Sequence, residues 1–541
     1  MKKQKLAGLL AAIMVLSLVG CSNPSGTKET DVPSTTKGSE QTAGTSSSEG
    51  ETQPEEKEPV TIHYWYRNNV GEQQYTGDVE KLLNGMLKEM EGYEHISIDL
   101  HPCKDLATEL TLAQASGDPI DMVATFGMDF ATAVKNEDFI TLDELMVEYP
   151  GVISELPEWM VDFGKMNGKQ YFIPAYQQAF TTPFAIFPNA YLSMYYAETG
   201  KTEADVRKVL QGDDLDATLD FYEEYLLAVR KATGKETKWI GDLSMPSQLS
   251  MNVGQLISGT YGLYEVEGQE PVYWQATEKY KNLMSRMAEW YQKGYIHPDY
   301  ATTNNSIYTG DNMLNDEAWV CQLGYTNAAT EEYVEMVITK NIKATAIRLT
   351  EHDYIISQYA AGGNAIYTEC EHPEEAMMIM ELLMTKKGEE FYNTFVWGIE
   401  GTHWEWEDEA NKRIKTLEYS GSQGGATSTY HAWKWNVGNS FNAWSNQAVD
   451  DAYLQHIKDV HDDPNTVSSE LIGITWDLSS VSNQISQCAA VGEEYKASTL
   501  VMAGADFEKV YNEYMNKLKT AGVEKIMEVV MKQYNDFMAS K

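Results

Sequence analysis

Apolar and polar positions alternate over Val60-Thr-Ile-His-Tyr-Trp-Tyr66, the period-two pattern of a strand. The pattern then changes to a helical one. Val79, Leu82, Leu83, Met86 and Met90 form one apolar stripe, predicting a helix over 79–91 with Asp78 as its cap. Ile96-Ser-Ile-Asp-Leu100 returns to alternation, a second helix is predicted over about 106–115 ending at Ser116-Gly117, and Ile120 to Thr125 reads as a third strand. Strand, helix and strand in this order imply parallel pairing with a right-handed crossover, so the first lobe is α/β.

Further along, helical periodicity dominates. A run after Thr218 continues to Ala232 and closes at Gly234. Another follows Thr277, carries Tyr280, Leu283, Met284, Met287, Trp290 and Tyr291 on one face, and stops at Gly294. Such stripes are the core faces of helices. Pro373 opens a helix to Met384, the position where its missing N–H costs nothing. Two more helices are predicted near 507–519 and 523–538.

The N-terminal residues fit neither pattern. Lys2, Lys3 and Lys5 precede an apolar run from Leu6 to Val19, too short for a comfortable membrane span but of signal-peptide length. Leu18-Val19-Gly20-Cys21 then has the form of a lipobox, predicting cleavage before Cys21 and lipidation of its thiol. Residues 22–59 contain only Val32 and Ala43 as apolar side chains, too few to offset chain entropy. A coil of this length spans roughly 35 Å, enough for a tether between membrane and domain. The expected chain is therefore a lipoprotein on the extracellular face of the cell membrane.

Composition narrows the function. Charged residues sum to a net −40, against nucleic-acid or anionic-lipid binding through the general surface. Besides Cys21 there are Cys103, Cys321, Cys370 and Cys488, widely spaced and without C-x-x-C, so their pairing stays open. The ten histidines show no metal-ligand spacing, and no cofactor motif is present. No H-E-x-x-H, G-x-S-x-G, phosphate-binding loop or EF-hand sequence occurs, and two Ser-x-x-Lys strings lie in the tether. Glu405, Glu407, Asp408 and Glu409 could imitate a glycosidase acid pair, but their spacing reads better as a solvated face.

Several segments together resemble the family-1 extracellular solute-binding proteins, the carbohydrate-loading components of ABC importers. Leu112-Ala-Gln-Ala-Ser-Gly-Asp-Pro-Ile-Asp-Met-Val123 is similar to that family's "ASGD-x-PD-[IV]" strand entry, with Ile120 displacing the usual proline-aspartate order. Gly168 to Tyr176 resembles its "G-x-x-Y-x-[IL]-P" stretch, and Tyr291 to Asp299 its "G-x-I-x-P-D" loop. Val320-Cys-Gln-Leu-Gly-Tyr325 occupies the place of "a-M-x-x-G", without the methionine. Gly398-Ile-Glu-Gly-Thr-His-Trp404 and the stretch from Gly473 to Gln533 resemble the large LplA-type lipoproteins and their C-terminal extension.

The resemblance implies a two-lobed, type II periplasmic-binding-protein-like α/β fold with a hinge. The first lobe is expected from 60–175 plus about 355–415, the second from 176–354, and an extension over 416–541 packing on the lobes. The function implied is capture of an oligosaccharide in the interlobe cleft and delivery to ABC importer permease subunits, by a monomer and without catalysis. Its rivals are a lipid-anchored glycoside hydrolase and a peptide-binding or sensor protein on the same scaffold.

Sugar capture needs flat apolar faces and planar polar groups, and the chain carries 13 Trp and 33 Tyr. Six of these tryptophans crowd into 397–444: Trp397, Trp404, Trp406, Trp433, Trp435 and Trp444. Ligands of α/β sheets lie beyond the strand C-termini. Trp65, Tyr66 and Arg67 end the first strand, Phe126 to Asp129 follow the third, and Ala361-Gly-Gly-Asn364 is a glycine turn. The candidate ligand-binding set is therefore Trp65, Tyr66, Arg67, Phe126, Asp129, Tyr176, Tyr325, Gly363, Asn364, Trp397, Trp433 and Trp435. Asp129 and Arg67 also suit a helix cap and a surface charge.

Overall fold

A computed structural model describes residues 57–541, apart from 238, 242, 245, 247, 248, 250, 257–261, 304–320, 324–329, 336–342, 358–361, 418–428 and 447–449. Cys21, the N-terminal apolar run, most of the tether and Tyr325 lie outside the described residues.

The first three strands are β1 (Val60–Arg67), β2 (Ile96–Cys103) and β3 (Met122–Ala124). β1 pairs in parallel with both β2 and β3, and the strands Gly363–Ile366 and Ile173–Pro174 complete a five-stranded sheet beyond β3. Helix α1 (Thr76–Glu89) begins earlier than its apolar stripe indicates, so Asp78 lies in its first turn and is not its cap. Helix α2 (Leu106–Ser116) is capped by Asp105, which accepts from the Thr108 amide, and ends at Gly117 in the left-handed region. Both faces of the sheet are covered. Ile62, Tyr64 and Tyr66 point into the large first core, whereas Trp65 and Val123 join a smaller cluster beneath α2.

A second core surrounds a three-stranded sheet of Cys321–Leu323, Phe184–Pro188 and Ala344–Arg348, with the middle strand antiparallel to both neighbours. Helices Leu215–Thr233 and Glu278–Gln292 pack on it, the latter capped by Thr277. The C-terminal stretch is divided between the two cores. Tyr430 to Val460 contributes to the first, while Leu471 to Val530, including helices Phe507–Ala521 and Val523–Ser540, completes the second.

The chain runs from one core region to the other along three short strands that lie side by side. Phe180–Thr181 pairs antiparallel with Tyr354–Ile355, which pairs in parallel with Val467–Ser468. Polar groups tie this crossing together. Burial pushes the Asp353 carboxyl up, but His456, Arg348 and Thr182 outweigh it and hold the group below the usual range. Glu265 accepts from the Ser357 amide (2.6 Å) and the Ser469 hydroxyl (2.7 Å), joining two crossings to the second core. His461 packs against Tyr176, Phe180 and Trp159 and accepts from the Ala179 amide (3.2 Å); burial pushes it down to about 3.

Among the described residues Cys103, Cys370 and Cys488 are free thiols. No described helix is long and apolar enough to cross a membrane.

Candidate functional site

The C-terminal edge of the five-stranded sheet carries a compact group of aromatic rings. Phe126 follows β3 and meets Trp433 and Trp435 edge-on, with ring centroids 5.7 and 4.7 Å apart. Trp433 and Trp435 stack on each other at 5.2 Å with planes 15° apart. Arg67, the last residue of β1, lays its guanidinium over the Phe126 ring at 5.5 Å and donates to Asn69 Oδ1 at 2.7 Å. Gly127 makes room for it: its φ is +88°, and a Cβ there would stand 2.5 Å from an Arg67 terminal nitrogen. Trp433 is buried, but Phe126, Trp435 and Arg67 remain partly exposed. An edge of π-faces beside a charged planar fork is what a sugar ring and its hydroxyls require.

The platform is held from below. Asn68 donates to Gly71 O (3.0 Å) and Gln73 Oε1 (3.1 Å), and Gln73 Oε1 also accepts from the His431 amide at 3.1 Å. The loop after β1 is thereby pinned to the segment that supplies both tryptophans. Asn364 makes a second tie: its Oδ1 accepts from Tyr64 (2.8 Å) and its amide nitrogen donates to Val437 O (2.9 Å). Burial pushes the His431 imidazole down, so this support stays neutral.

The remaining sequence-predicted residues fall in other roles. Trp65 is 8% exposed, stacks on His101 at 4.4 Å, and donates to Pro119 O, so it does not share the platform. Tyr66 is fully buried in the first core. Asp129 caps a short helix, accepting from the Thr132 amide (3.1 Å) and hydroxyl (2.8 Å). Tyr176 is buried against Phe441 and donates its amide to Gly438 O. Gly363 and Asn364 are buried in the sheet, and a Cβ on Gly363 would meet Ile173 O at 2.0 Å. Trp397 packs beside the Trp404 group, with Lys434 Nζ 5.8 Å from its ring.

Sequence reasoning missed Asn436. Its side chain is fully buried next to Trp435, and among the described residues neither amide atom has a hydrogen-bond partner. Nothing in the pattern distinguished it from other loop asparagines.

The acidic run that imitated a glycosidase pair lies on an exposed hairpin, Trp404–Asp408 with Arg413–Thr416. Glu405 pairs with Lys415 at 3.1 Å, and Asp408 caps a turn through the Asn411 amide, so both acids serve local structure. A shallow groove lined by Glu198, Asp220, Glu223, Glu224 and Lys231 lies on the outer helices of the second core. Its acids are occupied: Glu223 takes Trp290, Arg286 and Lys293, and Glu224 takes Tyr195 and Lys201.

Comparison with known proteins places this geometry. A family model described as a domain of unknown function (DUF3502) matches residues 470–539, the helical completion of the second core. The N-glycan transport solute binding protein of Streptococcus pneumoniae superposes with a TM-score of 0.67 at 19% identity, covering 89% of this chain and 99% of that one. In fold, this chain is similar to that solute-binding protein. An HMO-binding, ABC-transporter-associated solute-binding protein of Bifidobacterium longum infantis gives 0.57 at 14% identity over 89% of this chain and 99% of that one. In sequence, the chain is 24% identical over 445 residues to a carbohydrate ABC transporter substrate-binding protein of Streptococcus pneumoniae, covering 81% of this chain and 83% of the relative. In the solute-binding fold, the aromatic edge of this chain lies beyond the strand C-termini, where such α/β sheets present ligand sites.

Proposed function

We propose that this protein is an extracellular receptor that captures an oligosaccharide and passes it to an ABC importer. The observation that carries the reading is the partly exposed group of Arg67, Phe126 and Trp435 on the strand C-terminal edge, backed by the buried Trp433. Stacking supplies affinity for pyranose faces, and Arg67 supplies a planar polar group for hydroxyls. The carbohydrate names of the relatives support the same ligand class. Binding rather than hydrolysis fits the local roles of Glu405 and Asp408.

The receptor works through its crossing strands. Three short strands side by side are the place for a hinge, where a few terminal residues absorb the change of angle. Glycan bound on the first lobe's aromatic edge would favour the closed arrangement by its extra contacts there. Cys21 anchors the chain through a lipid, and 22–59 serves as tether, so the monomer reaches its permease while staying at the membrane.

The test is a calorimetric titration of the protein with a panel of N-glycan, milk and fructan oligosaccharides, with hydrolysis of each followed in parallel. Saturable binding without product formation is expected. Release of reducing ends would replace the receptor with an enzyme, and binding of peptides alone would remove the carbohydrate. Cys21→Ser should release the protein from the membrane fraction.

A further inference from the structure

The outer face of the edge pair β1 and β2 brings two histidines and a carboxylate to one point. Register sets His63 opposite Asp99 and Trp65 opposite His101, and the period of two puts all four on the same face. His63 Nδ1 lies 3.1 Å from Asp99 Oδ2 and 3.2 Å from His101 Nε2, and His101 Nε2 lies 3.3 Å from the same Asp99 oxygen. The three atoms thus form a nearly equilateral triangle.

Hydrogen bonding alone leaves this triangle unsatisfied. One proton can lie along only one edge. Protonating both nitrogens toward Asp99 sets donor against donor across the N···N edge. A cation at the centre serves all three lone pairs together. Ligands held at 2.0–2.1 Å in a tetrahedron stand about 3.3–3.4 Å apart, close to the spacing here.

The surroundings hold the rings in place. Trp65 stacks on His101 with planes 4° apart and is itself fixed by its bond to Pro119 O. The His63 amide donates to Asp121 Oδ2 at 2.8 Å, fixing the strand at that residue. Such outer contacts orient the ligands of metal sites.

We propose that His63, Asp99 and His101 form a binding site for a divalent transition-metal ion of the zinc class, clamping the edge strand β2 to β1. Two imidazole nitrogens and one carboxylate select such an ion over Ca²⁺ or Mg²⁺, which take oxygen donors. Three protein ligands leave a fourth position for water.

The experiment is a calorimetric titration of the untagged chain with Zn²⁺ at neutral pH, alongside Asp99→Asn and His101→Phe. The phenylalanine keeps an aromatic ring against Trp65 while removing the ligand nitrogen. One equivalent should bind the parent and raise its Tm. Each variant should weaken binding by more than the roughly 10–100-fold typical of losing an outer contact, and excess Mg²⁺ should not compete. Glycan titration of His101→Phe should match the parent, because these residues lie apart from the aromatic edge. No zinc binding by the parent, or equal binding by both variants, overturns the proposal.

Discussion

Two tryptophan groups share the stretch 397–444, and they lie in different settings. Trp404, Trp406 and Trp444 meet with centroids 4.6–5.0 Å apart, packed with Ile414 of their hairpin. Trp404 donates to Gly398 O, and Lys412 covers the rings of Trp406 and Trp444. This group is a small core that holds a surface hairpin. Trp433 and Trp435 form an equally tight pair, but they lie at the ends of β1 and β3, beside Arg67 and Phe126. Ring density is the same signal in both places. Under the proposed function, what separates packing from recognition is where the sheet topology sets the rings.

Substitutions should break the comparison cleanly. The largest effect belongs to Trp404→Ala, because its indole is 4% exposed and packs against Ile414, Trp406 and Trp444. We expect a loss of about 3–5 kcal/mol in denaturant unfolding, with glycan affinity of the folded fraction unchanged. Phe126→Ala should reverse the pattern. Its ring is partly exposed, so stability should change little, while affinity should fall by on the order of 2 kcal/mol, about thirtyfold, in calorimetry.

Neither tryptophan group titrates, so acid sensitivity must come from elsewhere, and the buried His461 supplies it. Its folded pKa of about 3 is below the ordinary imidazole value, so the unfolded chain binds the extra proton between them. The stability is present above about pH 6.5 and is lost as pH falls toward 3, with a slope of up to about 1.4 kcal/mol per unit from this residue. His461→Gln should flatten that part of the pH–stability curve without altering the ranking of the two tryptophan groups. The smallest effect is expected of Lys412→Ala, which removes a partly solvated cation from two rings: about 0.5–1 kcal/mol in stability and none in affinity.

The fold was legible where the chain punctuates itself. Gly117, Gly234, Thr277 and Pro373 stop or start helices where the pattern predicted, because each supplies a backbone conformation or cap that other residues supply poorly. Within the candidate site, Arg67, Phe126, Trp433 and Trp435 were named from their position after strands and from aromatic density, and the structure sets them side by side. Trp65 and Tyr66 show the limit. β1 is covered on both faces, so neighbouring residues of opposite direction are both buried, and alternation cannot tell a packed ring from a presented one. Asp129 was legible as a residue of two roles, and its hydrogen bonds to Thr132 make it a helix cap. His63, Asp99 and His101 gave no linear motif because their meeting depends on the register of two strands.

The most direct test is a crystal structure of the protein with the tightest-binding oligosaccharide from the panel. The account predicts a sugar ring within about 4.0–4.5 Å of the exposed face of Trp435 or Phe126, with hydroxyls reaching Arg67. A glycan seated instead against Trp404, Trp406 and Trp444, or wholly away from the edge formed by β1 and β3, would contradict it.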